Sequence, residues 1–367
     1  MPKPTADAVD RRTIILFFEE PASDKFVPYD RYLKQALRPL YHRLHRRQKA
    51  SGFSVSFRLL VEALVQAGYD VRVNDRVYAL AHPAQPVGLV GFPVLLDDWD
   101  LPNPAILGPS MFDHPMLRPA LMKDPRFRSY VVLADWMRDV FAPVYGDALV
   151  SWHAGIDLDE WPDTAGAAKD IDILVYDKIY RDREVAERWF LAALEEELAA
   201  RGLRTARLRY KMYDHAAYRD TLRRSRAMLF LCEHETQGLA YQEALASNVP
   251  VLAWDFGMWT DPLWKAFSDR PVPASSVPFF SSECGERFRT VADFGPALSR
   301  LLDNLPTYRP REFVARHLSQ AASAAIYAEA YFAAAEAKPS SVDAPPRSPL
   351  LPSPPAEPPI RRMASLP

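Results

Sequence analysis

Short apolar runs alternate with amphipathic stretches along most of the chain. Residues 13–18 (TIILFF) read as a first buried strand. Residues 53–67 carry apolar positions at helical spacing, Gly68 closes that helix, and 70–73 forms the next strand. Strands are expected at 104–107, 130–134 and 149–153, with a helix over 135–145. The stretch 160–170 contains Pro162, Thr164 and Gly166 and reads as a linker. Beyond it the alternation restarts, with strands at 171–176, 205–210, 227–231 and 250–254 and helices at 184–200, 217–224 and 237–247. These strands are apolar throughout rather than alternating, as a parallel sheet covered on both faces requires. Residues 272–280 and 284–288 would finish the second sheet, and 313–337 reads as one long Ala-rich helix.

Composition narrows the class. The chain has 367 residues, a net charge of −2 and 49% hydrophobic residues, so two globular domains without a nucleic-acid-binding charge are expected. Two cysteines, Cys232 and Cys284, make neither a disulfide framework nor a zinc pattern and fit a reducing cytosol. The polar start (1–12) is expected to be flexible and carries no signal-peptide pattern, and no apolar run approaches a membrane span. The last thirty residues, 338–367, are rich in Pro, Ser and Ala and are expected to be disordered. One stretch, 31–49, places Leu33, Leu37, Leu40, Tyr41 and Leu44 at helical spacing among seven basic residues and no acid. It reads as a basic amphipathic helix suited to an anionic membrane surface, interrupted at Pro39.

The most informative stretch is 231–255, LCEHETQGLAYQEALASNVPVLAWD. A buried strand runs into a helix whose start carries Glu235 and Thr236 at the cap and Gly238 in the first turn. In an open α/β sheet this is where ligands bind, and the free N–H groups of a helix start favour phosphate. If both residues are helical, the eight-residue interval puts Glu243 two turns below Glu235 on one face.

This run resembles the E-x7-E signature of retaining glycosyltransferases with the GT-B fold, family 4 above all. Glu235, Gly238-Leu239, Glu243-Ala244, Ala246 and Pro250-Val251 are in register, with Asn248 where the family has Gly. Asn tolerates the left-handed conformation of a helix C-cap. Looser resemblances are Ser51-Gly52 for the family's Gly-Gly loop, Gly68-Tyr69-Asp70-Val71, and Ala154-Gly155-Ile156-Asp157 at the end of the first domain. The resemblance implies two Rossmann-like domains facing a cleft: 13–158 binding acceptor, a linker at 159–169, 170–310 binding a nucleotide-sugar donor, and a last helix, 311–337, crossing back. It implies transfer of a hexose to an acceptor hydroxyl with retention and without a metal or other cofactor. The donor would be held by Gly52, Lys178, Arg183, the N–H groups of Gln237, Gly238 and Leu239, and Glu243 on the ribose. Glu235 and His114 would contact the sugar. Lys178 and Arg183 map onto the family's two diphosphate-gripping cations with the basic types exchanged and Asp177 for Gly, and Arg181 competes for that place. A glycan or lipid-linked acceptor, in glycolipid or polysaccharide synthesis at the inner face of the cell membrane, is the setting the family suggests.

Other chemistries find less support. Asp97, Asp98 and Asp100 could hold a divalent metal but read as a polar loop. Asp-Phe-Gly occurs at 255–257 and again at 293–295, without a glycine-rich loop or a His-Arg-Asp segment, so a kinase is excluded. Neither a dinucleotide fingerprint nor a Gly-x-Ser-x-Gly elbow is present. His153 reads as structural. The alternatives that remain are a GT-B epimerase and a non-catalytic sugar-nucleotide-binding module of polysaccharide assembly.

Overall fold

The computed structural model describes residues 9–19, 52–262, 267 and 270–336. The basic stretch 31–49, Ser51 and the tail 338–367 lie outside the described residues. Residues 9–12 pack on the domain that follows: the Asp10 N–H donates to Gln85 Oε1 at 2.8 Å, and Arg11 pairs with Glu336.

The first half contains β1 (Thr13–Glu19), α1 (Gly52–Gln66), β2 (Asp70–Val73), α2 (Arg76–Ala81), β3 (Val87–Gly91), β4 (Ala105–Leu107), β5 (Phe127–Val132), α3 (Asp135–Tyr145) and β6 (Leu149–Ser151). Its strands form one parallel sheet in the order β2-β1-β3-β4-β5-β6. The second half contains β7 (Ile171–Asp177), α4 (Arg183–Val185), a π-helical segment (Ala186–Leu191), α5 (Ala192–Ala200), β8 (Thr205–Arg209), α6 (His215–Arg224) and β9 (Ser225–Leu231). It continues with α7 (Leu239–Ala246), β10 (Val251–Trp254), β11 (Gly285–Phe288), α8 (Val291–Asn304), α9 (Pro310–His317) and α10 (Gln320–Glu336). Its parallel sheet has the order β11-β10-β9-β7-β8. Both sheets are covered by helices, and β7 and the core of β9 are buried on both faces, which is why they read as unbroken apolar runs.

Of the two segments expected to finish the second sheet, 285–288 is a strand, while in 272–280 Pro273 forms an isolated bridge with Met258; strand β3 and the last helix also differ from the sequence expectation. Strand β3 (VGLVG) has two glycines in five residues and little strand propensity, yet it pairs with both β1 and β4. Gly88 is required there: a Cβ would lie 2.3 Å from the Tyr327 hydroxyl and 2.7 Å from Leu16. The Ala-rich helix expected at 313–337 is two helices. The chain breaks between α9 and α10, where Ser319 forms a parallel bridge with Ile156. That bridge redirects α10 onto the first sheet. Its Tyr331 hydroxyl accepts from the Ile15 N–H at 2.9 Å and donates to Pro86 O, and the Trp152 indole donates to Ser323 O at 3.1 Å. Tyr327, Tyr331 and Phe332 therefore belong to the core of the N-terminal domain although they come from the far end of the chain.

Among the described residues no helix is long and apolar enough to cross a membrane.

Candidate functional site

The site is built where β7 and β9, neighbours in the second sheet, end side by side. Glu233, at the first bend after β9, is buried, and its Oε1 accepts the backbone N–H groups of Tyr180 and Arg181 at 2.9 and 3.1 Å. This ties the loop after β7 to the loop after β9. Lys178 and Glu235 meet across that junction as an ion pair, with side chains only 17% and 11% exposed. Burial works against the Lys178 charge, but the Glu235 carboxylate beside it outweighs this and raises the Lys178 pKa above its ordinary value. The Lys178 ammonium also lies 4.7 Å from the centre of the Tyr210 ring, and Cys232 Sγ is 3.6 Å from Glu235 Oε1. Burial keeps the Cys232 thiol protonated, well above its usual range.

The helix of the motif starts later than its sequence suggests. Leu239 is the first residue of α7, and Gly238 is the N-cap, with φ 71° and no side-chain cap. Only glycine fits: a Cβ would lie 2.2 Å from the Tyr241 ring. Glu235 and Thr236 are thus not the cap, and Glu235 and Glu243 do not share a helix face. Glu235 sits on the preceding loop, fixed by its N–H donating to Ser275 O at 2.9 Å. The other end of α7 follows expectation. Asn248 has φ 61°, the Val249 N–H returns to Ala244 O at 2.9 Å and the Asn248 N–H to Leu245 O at 3.0 Å, a Schellman closure.

Glu243 projects from the middle of α7 beside the phenols of Tyr176, Tyr213 and Tyr218. Among the described residues its carboxyl accepts no hydrogen bond and makes no ion pair. Burial, with a contribution from the Glu160 charge, pushes its pKa up to about 8, against the smaller pull of Arg219 and of Arg58 from α1. Gly52, the first residue of that same helix, lies in the N-terminal domain.

His114 stands on the loop after β4. Its Nδ1 accepts the Met116 N–H at 3.1 Å, so the neutral ring carries its proton on Nε2, and burial lowers its pKa to about 4. Its ring contacts Trp259 of the other domain, 6.4 Å between centres, and Trp259 in turn meets Trp136 and His234. The facing loops of the two domains are therefore joined by aromatic contacts.

Arg183 departs from the sequence expectation. Its guanidinium forks onto Asp177 with two bonds of 2.6 Å and also meets Glu187. Asp177 is fully buried and holds Arg207 as well, at 2.7 Å. Asp177 thus provides a carboxylate that engages the nearby arginine. Arg181 donates to Thr260 O at 2.5 Å and pairs with Asp261 at 2.8 Å. Lys178 is the cation of this loop that stands with Glu235. The Gln237 side chain, for which the sequence suggests no role, is bonded to backbone of the N-terminal domain, to Leu133 O at 2.8 Å, Trp152 O at 3.1 Å and the Ala154 N–H at 2.6 Å.

The acidic loop after β3 forms ordinary surface contacts. Asp100 pairs with Arg76, and Asp97 lies 3.9 Å from Arg118. Among the described residues no group of three His, Cys, Asp or Glu side chains is placed to hold a metal ion. His153 is buried at the crossing between domains, and its backbone oxygen accepts from the Ser323 hydroxyl at 2.8 Å. Sequence reading missed Glu233, Trp136 and the tyrosines around Glu243, because each acts through a contact between residues far apart in the chain.

No protein-family model matches the chain, and no curated protein is similar to it in sequence. Solved structures are similar in shape. AviGT4, a glycosyltransferase involved in avilamycin A biosynthesis, superposes with a TM-score of 0.53 at 13% identity, over 88% of this chain and 98% of that one. Sucrose-phosphate synthase (tll1590) from Thermosynechococcus elongatus gives 0.53 at 14% identity, over 88% and 99%. The fold is GT-B. In GT-B terms, β7, β9 and α7 belong to the second domain, α1 and His114 to the first, and α10 is the helix that crosses back.

Proposed function

We propose that this protein is a glycosyltransferase that moves a hexose from a nucleotide-diphospho-sugar to an acceptor hydroxyl, with retention and without a metal. The observation that carries the reading is the meeting of Lys178, Glu235 and the uncapped start of α7 at the ends of β7 and β9, with the unpaired Glu243 behind them. In a GT-B cleft this set matches the charges of such a donor in order. Glu243 accepts the ribose hydroxyls. The N–H groups of the first turn of α7 and the Lys178 ammonium face the diphosphate, where negative charge grows as the leaving group departs. Glu235 exchanges its contact with Lys178 for sugar hydroxyls and orients the ring. His114, neutral and with its proton on Nε2, donates to a sugar oxygen from the facing domain. Neither glutamate is cast as a covalent nucleophile; the acceptor attacks the face from which the diphosphate leaves. Closure of the two domains excludes the water that would otherwise take the sugar. The acceptor is proposed to be a glycan or lipid-linked precursor, with 31–49 meeting an anionic membrane surface.

The engagement of Arg183 by Asp177 favours a second reading, a sugar-nucleotide-binding module without turnover. One experiment separates the two. Wild type and Glu243→Ala are tested for binding and slow hydrolysis of a panel of UDP- and GDP-sugars without added metal. One donor bound and hydrolysed by the wild type, with binding lost in the variant, is expected. Binding without turnover in the presence of glycan or lipid-linked acceptors selects the second reading. Binding of no donor refutes both.

A further inference from the structure

We propose that Trp136 and Gln237 are positioning residues that lock the Glu235 loop to the N-terminal domain, so that Glu235 meets the sugar only when the cleft is closed. The proposal rests on the donor-site reading above. The loop 232–238 leaves β9 in the C-terminal domain, yet four of its hydrogen bonds run to the other domain. The Trp136 indole N–H, from the first turn of α3, donates to the backbone oxygen of Glu235 itself at 2.9 Å. Two residues on, Gln237 uses its whole amide across the boundary: both N–H bonds go to Leu133 O and Trp152 O, and its oxygen accepts the Ala154 N–H. Those backbone groups lie just beyond β5 and β6, where the diverging strands leave them without ladder partners. Gln237 is only 6% exposed, so these bonds are made away from competing water. Gln242 of α7 donates in turn to the Gln237 backbone oxygen, which carries the connection into the donor helix. Glu235 is therefore held at both backbone groups, by Ser275 from its own domain and by Trp136 from the other. Its carboxylate is the part left to change partner, from Lys178 to substrate. Opening of the domains breaks the Trp136 and Gln237 bonds together and releases the loop, so Glu235 is placed only in the closed arrangement that also excludes water.

The test is a double-mutant cycle on donor binding and donor hydrolysis. Trp136→Phe keeps an aromatic ring at that position and removes the indole N–H. Expected is unchanged nucleotide affinity, a kcat lowered roughly three- to tenfold, and no further loss when Trp136→Phe is added to Glu235→Ala. Equal loss in both backgrounds, or no loss in the wild type, overturns the proposal and leaves the donor site standing. Failure of the wild type to bind any donor is a different result, which removes the donor-site reading and this proposal with it. Gln237→Ala supplies a second measurement, read by amide exchange. Faster exchange at 152–154 and at 232–238 together is expected, and unchanged exchange at both refutes the lock.

Discussion

Replacing Glu243 by Gln tests the donor site without disturbing its shape. In the folded protein burial and the Glu160 charge hold the carboxyl neutral up to about pH 8, whereas its ordinary value is 4.5. The sign follows from linkage. Below pH 4.5 the group is protonated in both states and contributes nothing. As pH rises toward 8 the unfolded chain ionises it while the folded chain does not, so the wild type loses stability through that window. At ~1.4 kcal/mol per unit the full displacement would be ~5 kcal/mol, and the carboxyl's partial contact with water reduces this to ~2–3 kcal/mol. Urea unfolding of wild type and Glu243→Gln at intervals from pH 5 to 9 reads the difference, with other titrating groups cancelling between the two. The variant should match the wild type near pH 5 and exceed it by ~2–3 kcal/mol near pH 9. The same carboxyl accepts ribose hydroxyls most strongly when ionised, with both oxygens as charged acceptors. Donor affinity of the wild type should therefore rise from pH 6 toward 8, by at most about tenfold per pH unit, and be weak and flat in the variant. A stability difference that does not change with pH would refute the neutral buried carboxyl. A pH-independent donor affinity would refute its role on the ribose.

Three further outcomes are expected. Gly238→Ala forces a side chain into a left-handed residue against the Tyr241 ring and should cost about 2–4 kcal/mol, with donor binding lost, as read by thermal melting and calorimetry. Lys178→Met leaves the Glu235 carboxylate without its partner and should cost about 3 kcal/mol in urea, most of it recovered in Lys178→Met/Glu235→Gln; an equally unstable double variant would refute the pairing energetics. Arg183→Ala should lower stability by about 1–2 kcal/mol through Asp177, which keeps Arg207, while leaving donor affinity unchanged; loss of donor affinity would return Arg183 to the diphosphate.

Local pattern alone determined most of the framework. The strand at 171–177 and the helix at 135–145 were legible because a buried parallel strand and an amphipathic helix each write their pattern into consecutive residues. The left-handed Asn248 was legible for the same reason, since a helix stop is a local event. The spacing of Gly238-Leu239, Glu243-Ala244 and Pro250-Val251 is what raised the expectation of a donor site at the β9–α7 junction. Tertiary structure decided the rest. Strand β3 is held by neighbours and by Tyr327, not by its own propensities. The break before α10 comes from a bridge between Ile156 and Ser319, which no helix propensity records. Which cation stands with Glu235 depended on Asp177, a buried carboxylate that engages Arg183 and leaves Lys178 at the site. Gln237 entered the expected donor site only through its backbone N–H. Its side chain satisfies backbone groups some 85–105 residues away, and a contact of that range leaves no mark on the sequence around either partner.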